Sequence, residues 1–114
     1  MRKSDRIRLQ HMLDAAREAM SFVQGKTREH LERDRILVLA LVKAIEIIGE
    51  AAYQISPQTR SRTPEIPWED IIGMRHRLVH GYFDIDLDIL WSTVQKDLPQ
   101  LTAILESVLK KGEA

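Results

Sequence analysis

The chain contains no cysteine in 114 residues. Disulfides, thiolate nucleophiles and cysteine-ligated zinc are thereby excluded, and a reducing, cytoplasmic setting fits. It carries no net charge: 17 Lys and Arg balance 17 Asp and Glu. A protein that coats DNA through a general basic excess would look different. A small basic cleft on a neutral body is still allowed, because placement of charge matters more than its total. No run reaches the ~18 uninterrupted apolar residues of a membrane span, so no membrane association is expected. Met1-Arg2-Lys3-Ser4-Asp5 leads straight into an amphipathic pattern, without the apolar core of a secretion signal. Long strand-like alternation, internal repeats and low-complexity tracts are also missing. With 44% apolar residues, the chain has enough to bury one core, and a single domain over residues 1–114 is expected.

What is there reads as all-α, with four prolines and five glycines mostly at boundaries. Ser4 and Asp5 are placed to cap a first helix ending near Phe22 or Val23, with Ile7, Met12, Leu13, Ala16, Met20 and Val23 as its apolar stripe. Gly25 ends it. A second helix is expected from Thr27 or Arg28 to Ile55, stopped by Pro57. Its middle, Ile36 to Val42, is apolar all round and suits a central helix covered on most sides. Residues 56–65 read as a loop. Pro67 opens a third helix running to about Val79, and Gly81 marks its end or a break. Asp84 or Asp86 caps a fourth helix over Leu87–Lys110, kinked or restarted at Pro99. Leu87, Leu90, Trp91, Val94, Leu98, Leu101, Ile104, Leu105 and Val108 form its buried face, and Trp68 fits the core or an interface. The result is an antiparallel bundle of four to five helices.

One polar stripe interrupts the central helix. Lys43, Glu46 and Glu50 share a face through spacings of three and four, and Tyr53 and Gln54 continue it. The stripe is a solvent-facing edge, the lining of a cleft, or part of a dimer interface.

Chemistry concentrates in Gly73-Met74-Arg75-His76-Arg77-Leu78-Val79-His80-Gly81-Tyr82-Phe83-Asp84. This segment gathers two guanidiniums, two imidazoles and a phenol. Arg supplies a permanent charge for phosphate, and His can give or take a proton near neutral pH. Together they suit RNA cleavage without a metal. His80 would serve as general base or acid for attack of a 2′-hydroxyl on the adjacent phosphate, and Arg75 would stabilise the phosphorane. His76 and Arg77 would assist or hold backbone phosphates. The spacing alone is weak, because Arg6 and His11 repeat it on an ordinary charged face. On a straight helix Arg75 and His80 would point about 140° apart. They converge if the helix ends before His80, or across a two-fold axis in a homodimer. The plainer reading has His80 bonding a carbonyl at a helix end and Arg75 paired with Asp84 or Asp86. His11, His30, His76 and His80 show no metal-ligand spacing. No phosphate-binding glycine loop and no nucleophile elbow is present. No metal and no cofactor is expected.

These segments resemble the HepT-like branch of the HEPN superfamily over most of the chain. Glu46-Ile47-Ile48-Gly49-Glu50-Ala51-Ala52 is similar to the family's central-helix signature. Ile72 to Phe83 is similar to its Arg-x4-His-x-Tyr motif, and Ile85-Asp86 followed by Leu90-Trp91 fits the usual continuation. His76 departs from the pattern, standing where Asn is common. The resemblance implies a HEPN bundle that forms a homodimer and acts as a metal-independent endoribonuclease toxin. The toxin would belong to a type VII-like pair with a minimal nucleotidyltransferase antitoxin. Arg75 and His80 carry over as catalytic, and Tyr82 as the tyrosine the antitoxin adenylylates to silence the toxin. An added AMP phosphate two residues from His80 could occupy Arg75 and obstruct RNA. Glu46 and Glu50 fit the pattern without an assigned role. The rival expectation is a catalytically inert HEPN module that scaffolds the nucleotidyltransferase.

Overall fold

The computed structural model describes residues 1–80 and 84–113. It is all-α apart from one minimal strand pair: α1 (Lys3–Phe22), α2 (His30–Arg33), α3 (Arg35–Gln54), α4 (Pro57–Arg62), α5 (Trp68–Leu78), β1 (Val79–His80), β2 (Asp84–Ile85), α6 (Leu87–Ser92) and α7 (Leu98–Glu113), with a π-helical turn at Thr93–Asp97 joining α6 to α7. Helix α3 packs between α1 and α5, and α7 lies along α1. This is the HEPN-like helical bundle expected from the sequence.

The apolar residues that α1 buries are Leu9, Met12, Leu13, Ala15, Ala16 and Ala19, with Val23 buried just beyond its end. Ile7 lies two residues, or about 200°, from Leu9, and is 47% exposed rather than part of the stripe. Gly25 adopts φ 72° beyond the helix end, a left-handed conformation that only glycine takes at little cost. The long second helix expected from Thr27 to Ile55 is broken. Asp34 is extended and its carboxylate accepts from the Leu37 N–H at 3.0 Å. A side chain that caps the next helix competes with continuation of the previous one. Helix α3 is also not covered on most sides: Ile36 is 82% and Tyr53 66% exposed.

Residues 57–62, read as loop, form α4. Ser56 caps it by accepting from the Thr59 N–H at 3.3 Å, and Pro57 occupies the first turn. Arg60 then reaches back to three carbonyls at the end of α3, those of Ala52, Tyr53 and Ile55. A cation there suits the negative end of the helix. The same guanidinium sits 5.9 Å from the centre of the Trp68 ring, a cation–π distance. Trp68 itself is half-buried and donates Nε1–H to the Thr63 carbonyl.

Helix α5 ends at Leu78, one residue early, because Val79 turns extended and pairs with Ile85. Asp86, not Asp84, caps α6 by accepting from the Ile89 N–H at 3.0 Å. The fourth helix is interrupted just before Pro99, as expected, and α7 restarts at Leu98. Proline lacks the N–H that would bond back to Gln95, and the turn just before it widens to the π form. Leu90, Val94, Leu98, Leu101, Leu105 and Val108 are buried along it as expected, while Leu87, Trp91 and Ile104 are only half-buried.

Asp5 was expected to cap α1. The helix instead starts at Lys3, with Arg2 in the cap position and no side-chain cap bond. Asp5 is 1% exposed and crosses to the α3–α4 junction. Its Oδ1 accepts from the Ser56 N–H at 3.1 Å, and its Oδ2 accepts from the Ser56 and Thr59 hydroxyls, each at 2.6 Å. No buried side-chain nitrogen or oxygen among the described residues lacks a partner. Burial pushes the Asp5 carboxyl up. Hydrogen bonds from the Ser56 and Thr59 hydroxyls and the Ser56 N–H, with the nearby Arg2 charge, together hold it below its ordinary value of 3.8.

Asp5→Ala leaves two hydroxyls and an N–H buried without their acceptor and should cost about 2 kcal/mol or more in urea unfolding. The folded-state pKa is depressed, so the stabilisation by Asp5 is present above pH 3.8 and is lost as pH falls through the folded value. The stability gap between wild type and Asp5→Asn should therefore be constant near neutral pH and narrow only below that point.

Candidate functional site

Helix α5 buries Ile71, Met74 and Leu78. Their spacing of three and four commits one face to the core and turns Arg75, His76 and Arg77 outward, all three exposed. Successive helical residues diverge by about 100°, so the three do not share a direction. Arg75 and His76 line a groove of about 870 Å³. Arg77 lies on the other flank, where it donates to the Asp70 carbonyl at 3.2 Å and sits 3.9 Å from the Asp70 carboxylate. There it borders a smaller pocket of about 240 Å³ between α5 and α7.

The floor of the large groove is the polar stripe of α3: Lys43, Glu46, Glu50, Tyr53 and Gln54, with Ile47 between them. The stripe therefore lines a cleft. The Arg75 Nε–H donates to Glu46 Oε1 at 2.9 Å, tying α5 to α3. The alternative pairing of Arg75 with Asp84 or Asp86 is not formed. The terminal nitrogens of Arg75 hold no partner among the described residues, so half of the guanidinium fork remains available for an anion.

His80 is exposed on β1, opposite Asp84 in register. It is not among the described residues that line the groove. The structure brings Arg75 and His76 together in the groove and leaves Arg77 and His80 outside it. Because α5 ends at Leu78, the 140° separation expected on a straight helix does not apply to His80. Gly81 and Tyr82 lie outside the described residues.

The opposite wall comes from α1, where Arg8 and His11 line the groove. Arg8 Nη1 donates to the Gln54 carbonyl at 3.3 Å. The sequence had set the Arg6–His11 pair aside as a solvated charged face. His11 is exposed but borders the groove, whereas Arg6 turns the other way and donates to the Leu109 carbonyl at 3.2 Å. The spacing of three between Arg8 and His11 could have suggested a shared face. Only the packing of α1 against α3 shows that this face meets the stripe. Among the described residues no group of three or more His, Asp or Glu gathers as a metal set. Nor is any helix among them long and apolar enough to cross a membrane.

A family model described as Ribonuclease HepT-like matches residues 12–108, from the middle of α1 into α7. The chain belongs to the HepT-like ribonuclease family. Among HepT-like relatives, a protein of Caldanaerobacter subterraneus named as a candidate RNase is 34% identical, over 96% of this chain and 97% of its own length. One from Thermococcus cleftensis named probable ribonuclease HepT is 36% identical, over 86% of this chain and 93% of its own. A Methanocaldococcus jannaschii protein, again named as a candidate RNase, is 32% identical over 88% and 92%. No solved structure matches the chain significantly.

The Arg75–Glu46 pair is about half exposed on the arginine side, and such pairs contribute at most about 1 kcal/mol. Glu46→Ala should therefore barely move the urea midpoint, yet release the Arg75 side chain. The ¹H–¹⁵N signal of its Nε–H should shift and exchange faster with water. An unchanged signal would mean that the pair is not held in solution.

Proposed function

We propose that the protein is a metal-independent endoribonuclease toxin of a type VII-like pair. The observation that carries this reading is an Arg75 with half its fork open, at the edge of a groove in a member of the HepT-like ribonuclease family. His80 takes the proton from a 2′-hydroxyl, and the 2′-oxygen attacks the neighbouring phosphorus. The bond to the 5′-oxygen breaks, and that oxygen leaves with a proton. Arg75 stabilises the extra negative charge of the phosphorane, and His76 beside it in the groove holds a flanking phosphate, while Arg77, on the other flank of α5, would reach only a more distant part of the strand. The products are a 2′,3′-cyclic phosphate and a free 5′-hydroxyl. His80 is not among the described residues that line the groove with Arg75, so a homodimer, with acid and base drawn from two copies, suits the reaction. A minimal nucleotidyltransferase silences the toxin by transferring AMP to Tyr82.

His80→Ala should unfold at the wild-type urea concentration and lose RNA cleavage by at least 100-fold, measured in excess EDTA on unmodified protein. Cleavage retained by this variant would remove His80 from the chemistry. If unmodified wild type binds the nucleotidyltransferase but cuts no RNA, the protein is an inert binding module instead.

Tyr82→Phe should cleave RNA like wild type and resist silencing, with no AMP added on intact-mass analysis. A mass gain of one AMP on this variant would move the modification to another residue.

A further inference from the structure

Tyr53 has no structural occupation. It stands in the last turn of α3, 66% exposed, and its phenol makes no hydrogen bond among the described residues. Burial does not account for so large an aromatic at this position, and Phe22, also on the surface, is only 37% exposed. Tyr53 lies in the floor of the groove, between two cationic walls: Arg8 and His11 from α1, Arg75 and His76 from α5. The floor differs from the walls in chemistry. It carries Tyr53, the Lys43 ammonium and the carboxylates of Glu46 and Glu50, of which Glu46 is taken by Arg75.

This division of polarity matches an unpaired nucleic acid strand. Phosphates are attracted to the guanidiniums on the walls, while the floor, with Lys43 beside two carboxylates, offers them no comparable cluster of cations. A base has a π-face to offer an aromatic ring. Its exocyclic amines and the ribose hydroxyls are donors that the Glu50 carboxylate can accept. A duplex offers phosphates too, but its base faces are stacked inside and out of reach. A second copy of this chain would meet charged groups on both walls of the groove rather than a continuous apolar face, which favours the nucleic acid as occupant.

We propose that Tyr53 is a base-stacking platform that restricts the substrate to single-stranded RNA, with Arg8 gripping a phosphate on the α1 side, across the groove from Arg75. The proposal takes its ligand class from the ribonuclease reading and extends the site to a helix outside the Arg75–His80 motif.

The test is binding of a short fluorescent single-stranded RNA, 2′-O-methylated throughout, so that no attacking hydroxyl exists and affinity is read without cleavage. Tyr53→Ala should weaken binding about 5- to 100-fold, Tyr53→Phe should restore most of it, and the urea midpoint should stay in place. The same sequence as a duplex should bind more weakly and ignore Tyr53→Ala. Arg8→Ala should lower affinity and reduce the salt slope by about one, whereas Lys96→Ala, away from the groove, should do neither. Single-strand affinity unchanged in Tyr53→Ala overturns the proposal. If that variant also turns a dimer into a monomer by ultracentrifugation, the face is a protein interface. Because the probe cannot be cut, the two readings separate. Wild type that binds it through Tyr53 yet cleaves no RNA loses the ribonuclease assignment alone. Wild type that cleaves RNA with Tyr53 irrelevant to binding loses the platform alone.

Discussion

Everything in this molecule depends on how many neighbours α3 can have. The helix is rich enough in aliphatic residues to be surrounded, but the bundle supplies only two large partners, α1 and α5. A cylinder about 10 Å across flanked by two others keeps an open sector. On α3 that sector holds Lys43, Glu46, Glu50 and Tyr53. The walls of the groove are the flanks of the two helices that bury the rest of α3. Core and site are therefore two sides of one packing arrangement. Ile45 and Ile48, fully buried, set the spacing of the helices that carry Arg8 and Arg75. Full burial of such side chains stabilises the fold by roughly 1.5–3 kcal/mol each. The surface ion pair between Arg75 and Glu46 adds orientation, not stability.

The parts of the fold that were legible in the sequence are those where one local signal acts without competition. Gly25 ends α1, and the apolar spacing from Leu90 to Val108 gives the buried face of the last helix. The sequence misleads where a residue's chemistry fits two roles. Asp5 has the position and the side chain of a helix cap, yet it is an acceptor for a junction 51 residues away in the chain. Asp34 sits inside a good helical pattern and breaks it by capping α3. Ser56 and Pro57, read as punctuation after α3, begin α4. In each case a short polar side chain bonds to the backbone in a way that periodicity does not encode.

The site divides in the same manner. Arg75 and His76 were found through their motif, and the α3 stripe through its incongruity in an apolar helix. That the two meet depends on the α3–α5 packing, which no spacing rule describes. Arg8 and His11 looked ordinary because their meaning arises only where three helices come together. His80 is the opposite case: prominent in sequence, it sits on β1 beyond the end of α5 and is not among the described residues that line the groove. A residue's prominence in a motif and its place in a cavity are independent facts, joined here only for Arg75 and His76.

The π turn at Thr93–Asp97 governs helical phase. Leu90, Val94 and Leu98 are spaced by two successive fours, which on a regular α-helix would carry the stripe steadily around the axis. The wider turn absorbs that drift, so Leu101, Leu105 and Val108 return to the side that faces α1. The chain before the turn and the chain after it are therefore two helices in different registers, held in one rod by a local change of pitch. Their relative phase is set by residue count rather than by residue identity. Evolution can change the exposed side chains Gln95, Lys96 and Asp97 with some freedom, but not the number of residues in the turn. A single deletion would rotate α7 by about 100° and turn its apolar face away from the bundle.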